Sequence, residues 1–201
     1  MTALPPELPP CPSCGPAFLA WLQRDAALAQ RWQTLPRRRL DRQQILLEQG
    51  QPLHTLWWVE QGLLRASFVD AEGRERNQGF FPELQWLGLP GGLPASPWQL
   101  QALEPSRLVE LDATQLLRLQ QAWPEASALL MQGLSLGLAR QTAREQQLLL
   151  QDAASRYQQF LAEHAALAAR LSLRQIAAYL GITDVALSRI RRRLRQRDGA
   201  A

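Results

Sequence analysis

SLRQIAAYLGITDVALSRIRRRL, residues 172–194, places two short helical patterns around a glycine and ends in a dense run of arginines. In the first pattern Ile176, Ala177 and Leu180 share one face at helical spacing, and Gly181 follows where a left-handed residue ends a helix at little steric cost. Thr183 is placed to cap a second helix by accepting the backbone N–H of Ala186, and Leu187, Ile190 and Leu194 form its inward stripe. The outward face keeps Asp184, Val185, Ser188, Arg189, Arg192 and Arg193. This is the sequence form of a helix-turn-helix, whose second helix enters a DNA major groove with its N-terminal residues at the base edges. The plainer alternative is a two-helix corner with a solvated basic face.

The charge distribution favours the first reading. From Arg170 to the C-terminus eight arginines face only Asp184 and Asp198, a net of +6, so the total of +4 leaves residues 1–169 at −2. A basic end on a slightly acidic body is a footprint for a polyanion, and the basic helix lacks the exposed aromatic face of a membrane-surface helix. Hydrophobic residues make up 46% and charged residues 20%, the balance of an ordinary globular protein. No apolar run reaches the length of a membrane span, no signal-peptide pattern opens the chain, and a cytoplasmic location is expected.

Upstream, residues 1–16 hold most of a Pro-rich stretch, TALPPELPPCPSCGP, expected to be a mobile tail. Its Cys11 and Cys14 form a C-x-x-C pair, half of a metal site with no second pair in the chain; an inert pair, a metal shared between subunits and thiol oxidation remain open. Phe18, Leu19, Leu22, Ala26 and Ala29 then repeat helically until Pro36. Arg37, Arg38 and Arg39 read as a solvated loop charge run in preference to a second nucleic-acid patch. Between Leu40 and Leu111 short apolar runs alternate with turns at Gly50, Gly62 and Gly73, and DAEG at 70–73 reads as a hairpin, so a roll of antiparallel strands is expected. Asp112 is placed to cap a helix, and residues 125–151 run without proline. Leu130, Leu134, Gly137 with Leu138, Gln141, Glu145 and Leu148 lie along one side of that helix, either as a two-helix dimer seam or against the strand domain. A shorter helix, DAASRYQQFLAEH, leads back to the opening stretch.

Strand roll, long helix, short helix and helix-turn-helix in this order resemble the Crp/Fnr family of bacterial transcription regulators. The resemblance covers about residues 17–195 and rests on ILLEQGQPLHTLWWVEQGLLRASF, QALEPSRLVELD and IAAYLGITDVALSRIRRRL. It implies an α+β protein: a flexible tail (1–16), a cyclic-nucleotide-binding-like jelly roll flanked by helices (17–123), a dimerisation helix (124–151) and a helix-turn-helix domain (152–201) with a reduced or absent wing. It also implies double-stranded DNA as partner and a homodimer as the binding species, and adds RNA polymerase and a small-molecule effector to the candidate partners.

Site assignments follow. Arg189, with Asp184, Val185 and Ser188, is assigned to base edges, Asp184 serving either a cytosine amino group or the helix N-terminus. Ser172, Arg174, Thr183, Arg192 and Arg193 are assigned to phosphates. Relatives that bind a cyclic nucleotide carry a Gly-Glu pair for the ribose and an Arg followed by Ser or Thr for the phosphate. The matching stretch here is FFPELQWLGLPGGLPASPW, where Glu83 follows Pro82 and Ser96 stands near the place of the Arg. Standard cyclic AMP control is therefore not expected. Glu83, Ser96 and Trp98 are the effector-pocket candidates, in a roll whose Trp57, Trp58, Phe80, Phe81 and Trp86 serve mainly as core. No cofactor, no metal beyond the Cys11 and Cys14 candidates, and no enzymatic constellation is expected. The alternative function is a small-molecule or redox-responsive protein that uses the roll as its ligand site without sequence-specific DNA binding.

Overall fold

The computed structural model describes residues 14–198. Helices α1 (Cys14–Leu22) and α2 (Ala26–Gln33) precede eight strands. These are β1 (Arg37–Leu40), β2 (Ile45–Leu47), β3 (Thr55–Gln61), β4 (Leu64–Val69), β5 (Glu75–Phe81), β6 (Trp86–Leu87), β7 (Gln99–Ala102) and β8 (Ser106–Asp112). Six helices follow: α3 (Ala113–Ala122), α4 (Glu125–Leu150), α5 (Ala153–Glu163), α6 (Ala165–Ala168), α7 (Leu173–Leu180) and α8 (Asp184–Asp198). The expected order of roll, long helix and helix-turn-helix is present. The chain divides into two compact units, with the division between Met131 and Gln132, inside α4.

In the first unit two antiparallel four-stranded sheets, ordered β1-β8-β3-β6 and β2-β7-β4-β5, enclose Leu40, Leu53, Trp57, Val59, Leu64, Ala66, Leu87, Leu100 and Leu108. A second apolar layer lies on the other face of the first sheet, where Leu56, Trp58, Val109 and Leu111 meet Phe18, Leu28, Trp32 and Leu119 from the helices. Strand β3 therefore buries both faces, Trp57 and Val59 on one and Leu56 and Trp58 on the other, so TLWWV reads as an unbroken apolar run without the alternation of a one-sided strand. Phe18, Trp32, Trp58 and Trp86 cluster with ring centroids 4.8 to 6.4 Å apart, mostly tilted or edge-to-face. Each such pair adds about 1 kcal/mol beyond its buried area.

Turn chemistry falls where the spacing of glycines placed it. The Asp70 carboxylate accepts the backbone N–H groups of Glu72 and Arg74 and closes the β4–β5 hairpin. Asp112 and Gln115 form a reciprocal capping box that starts α3. At Gly62, with φ of +100°, a Cβ would lie 2.2 Å from the Ser106 hydroxyl oxygen, so the residue is fixed by both backbone and space.

Three sequence expectations are corrected. The helical pattern before Pro36 is two helices, because the Asp25 side chain leaves the first and caps the second, accepting from Ala27 and Leu28 N–H. The first helix begins at Cys14, inside the segment expected to be tail; Pro16 sits in its first turn, where a missing N–H costs no hydrogen bond. The arginine run is not a loop but strand β1, paired with β8. Two of its charges are met within the fold: Arg37 lies 3.3 Å from Glu60 and donates to the carbonyls of Trp32, Gln33 and Leu35 at and just past the end of α2, while Arg38 lies 3.7 Å from Glu110.

Candidate nucleic-acid interface

The second unit builds its basic helix from the turn outward. Ser172 caps α7 in a reciprocal box with Gln175, and the helix buries Ile176, Ala177 and Leu180. Gly181 takes φ of +72°, and both its N–H and that of Ile182 return to the Ala177 carbonyl, which closes the helix and redirects the chain. Thr183 then caps α8: its hydroxyl oxygen accepts the Ala186 N–H at 3.2 Å, as the sequence led us to expect. Leu187 is completely buried, with Ile190 and Leu194 half-buried on the same stripe.

With that stripe turned inward, Asp184, Val185, Ser188, Arg189, Arg192 and Arg193 are all exposed, Val185 at 57%. Ser172, Arg174 and Thr183 are exposed as well. Among the described residues none of Arg174, Arg189, Arg192 and Arg193 lies within ion-pair distance of a carboxylate. In the roll Arg37, Arg38, Arg65, Arg74 and Arg107 face Asp or Glu, whereas the exposed Arg39, Arg42 and Arg76 have no carboxylate within ion-pair distance among the described residues. Charge on α8 is left open to an outside anion, while much of the roll's charge is spent within it.

Individual assignments gain detail. The Asp184 carboxylate accepts the Val185 N–H at 2.9 Å, which favours its role at the helix N-terminus. Ser172 and Thr183 use their oxygens as caps, leaving the hydroxyl hydrogen of each to donate. Sequence reasoning passed over Arg191, Arg195 and Gln196, which with Ser188 and Arg192 line a shallow cavity of about 340 Å³ along α8. The signal was present, since 188, 191, 192, 195 and 196 recur at helical spacing.

The effector candidates are engaged by the roll itself. The Glu83 carboxylate accepts the Gly62 N–H at 2.9 Å, and the Ser96 hydroxyl donates to the Trp98 carbonyl at 2.7 Å. Residues 77–106 contain no arginine. The nearest by strand is Arg65, held by Glu75, Asn77 and Gln101. These residues supply no free guanidinium for a cyclic phosphate, so they do not fit the standard ligand of such a roll. Trp57, Trp58 and Trp86 pack in the two apolar layers. Cys11 lies outside the described residues, and among the described residues no group of three or more His, Cys, Asp or Glu is arranged to hold a metal ion. No helix among them is long and apolar enough to cross a membrane.

Residues 37–122 match the family model of the cyclic nucleotide-binding domain, the stretch occupied by the roll and α3. Solved structures share the architecture over most of the chain. FixK2 from Bradyrhizobium japonicum superposes with a TM-score of 0.74 at 18% identity, over 82% of this chain and 86% of that one. The c-di-GMP responsive global regulator CLP from Xanthomonas campestris gives 0.74 at 22%, over 87% and 93%. A CooA mutant from Carboxydothermus hydrogenoformans gives 0.73 at 17%, over 89% and 84%. No curated protein matches the sequence. Residues 37–122 are thus similar to a cyclic nucleotide-binding domain, and the chain shares its fold with these three solved structures.

Proposed function

We propose that the protein is a DNA-binding transcription regulator of the Crp/Fnr type that binds a pseudo-palindromic site as a homodimer. The observation that carries this reading is the exposed face of α8, where Arg189, Arg192 and Arg193 lie outside ion-pair distance of any carboxylate among the described residues, opposite the buried Leu187. Arg189 pairs with guanine O6 and N7, and the remaining arginines with Ser172 and Thr183 hold phosphates. Two copies place their α8 helices in successive major grooves about 34 Å apart.

The dimer is supported by α4. None of its 26 residues is buried, and Leu134, Leu138 and Leu148 are exposed at 39%, 68% and 43%, a stripe that a second copy would cover. Control by cyclic AMP in the standard way is not part of the proposal, since residues 77–106 contain no arginine and Arg65 is engaged by Glu75, Asn77 and Gln101. We place the roll's effector corner at Ser96 and Trp98, because among the described residues the buried Trp98 indole nitrogen has no hydrogen-bond partner, a state that costs about 1–3 kcal/mol unless a ligand or water accepts from it.

Selection of bound duplexes from a random pool, with and without metabolite mixtures, tests the proposal. Enrichment of an inverted repeat with half-sites one helical turn apart is expected. Recovery of unrelated duplexes, with binding that ignores sequence, would overturn it.

A further inference from the structure

The turn between α7 and α8 is held from outside the helix pair. Arg156, on α5, donates through Nη1 to the Gln151 carbonyl just past the end of α4 and through Nη2 to the Leu180 carbonyl at the end of α7. Arg144, in the second half of α4, donates to the neighbouring Tyr179 carbonyl and stacks its guanidinium 3.7 Å from the centre of the Tyr179 ring. The ring is flanked in turn by Phe160 of α5, at 5.3 Å between centroids. A Cβ on Gly181 would stand 3.7 Å from Leu148, so the last turns of α4 lie against the turn itself.

The physical sense of this arrangement is the helix end. The last carbonyls of α7 and of α4 have no partner inside their own helices and carry the negative end of each helix dipole. A guanidinium is planar and donates in fixed directions, so Arg156 can bridge both ends only at one separation and one angle. Arg144 adds a second donor and a ring contact, so the angle of α7 to α4 is fixed by directed bonds as well as by apolar packing.

We propose that Arg144 and Arg156 are positioning residues for DNA binding: they lock the helix-turn-helix to α4 and thereby set the half-site spacing that the protein accepts. The inference rests on the proposed dimeric DNA-binding function. Neither residue touches DNA in this scheme. Each acts on the direction of α8 through the Tyr179–Gly181 end of α7.

The test uses the full chain and duplexes carrying the selected half-sites, with spacers changed one base pair at a time, together with amide hydrogen exchange on DNA-free protein. Relative to the wild type, R156Q and R144Q are expected to lose about tenfold of the preference for the best spacing, while non-specific binding and its salt slope stay unchanged. R156K, which keeps the charge but not the fork, should fall between. The Gly181 and Ile182 amides should exchange about tenfold faster in R156Q than in the wild type. Folded variants that retain both the wild-type spacing preference and wild-type exchange would overturn the inference, as would a loss of binding equal at every spacing and on non-specific DNA. A wild type without any spacing preference would instead sink the regulator reading, and the exchange comparison would still decide whether the two arginines lock the turn.

Discussion

The Thr183 hydroxyl oxygen accepts the Ala186 backbone N–H at 3.2 Å, and this bond starts the helix that carries the open arginines. Removing it in Thr183→Ala should lower the free energy of unfolding by about 1 kcal/mol, whereas Thr183→Ser should retain most of the stability. Thermal unfolding of the two variants checks this. An equal loss in both would assign the effect to the Thr183 methyl group.

Arg189 and Arg192 lie three residues apart on the exposed side of α8 but should fail differently. Arg189→Ala is expected to cost about 1–3 kcal/mol on the selected site and little on scrambled duplex, with specificity relaxed at one base pair. Arg192→Ala should weaken both duplexes alike and reduce the slope of log K against log salt by about 0.9. Titrations at several salt concentrations separate the two; equal losses for Arg189→Ala on both duplexes would rule out base contact.

Two glycines with positive φ separate backbone strain from crowding. Gly181, at +72°, has only an ordinary contact at 3.7 Å for an added Cβ, so Gly181→Ala should cost about 1–2 kcal/mol. Gly62, at +100°, would bring that Cβ to 2.2 Å from the Ser106 oxygen and 2.7 Å from its Cα, so Gly62→Ala must displace a strand and should cost about 3 kcal/mol or more. Denaturant unfolding measures both, and the order of the two losses is the prediction.

Asp25 joins the start of α2 to the end of α3. Its carboxylate accepts the Trp123 indole N–H at 2.8 Å as well as the capping N–H groups of Ala27 and Leu28. These bonds, that of Trp123 foremost, hold its pKa below the ordinary 3.8 against the opposing effect of desolvation. Because the folded state favours the ionised form, this contribution is present above pH 3.8 and is lost as pH falls through the lower folded value. Asp25→Asn should flatten that part of the acid unfolding curve; an unchanged curve would remove Asp25 from it.

His164 gives the opposite case, a base that folding shifts toward its neutral form. Burial is the main cause, with Glu163 opposing it and Arg140 reinforcing it, so its pKa lies below 6.5. The unfolded chain binds the proton more readily. Stability of the unit that contains His164 should therefore fall as pH drops below 6.5 toward the folded value. Unfolding midpoints of the wild type and His164→Gln across this range check the claim: the variant should lose that segment of the pH dependence.

Legibility in the sequence followed locality. The caps Asp112 and Thr183, the Asp70–Gly73 hairpin and the left-handed Gly181 were readable because each depends on residues a few positions apart. The strand character of Arg37 to Arg39 was not, because three arginines in a row become a strand only when β8 supplies the ladder and Glu60 and Glu110 supply the counter-charges. The break at Asp25 was missed for a related reason: its carboxylate is drawn to helix α2 and to Trp123, nearly a hundred residues away.

The sequence by itself determined which residues face inward and outward on α7 and α8, since helical period, glycine and cap act within one or two turns. The same local logic, with the strong asymmetry of charge, made the basic outer face of α8 the candidate interface. Only the tertiary structure decided which arginines remain open to an outside anion and which are consumed. Arg37 and Arg107 meet Glu60 from 23 and 47 residues away, Arg65 meets Glu75 across the β4–β5 pair, and Arg156 reaches the Leu180 carbonyl 24 residues further on. Charge is written in the residue, but whether that charge is free depends on what the folded chain places within a few ångströms of it.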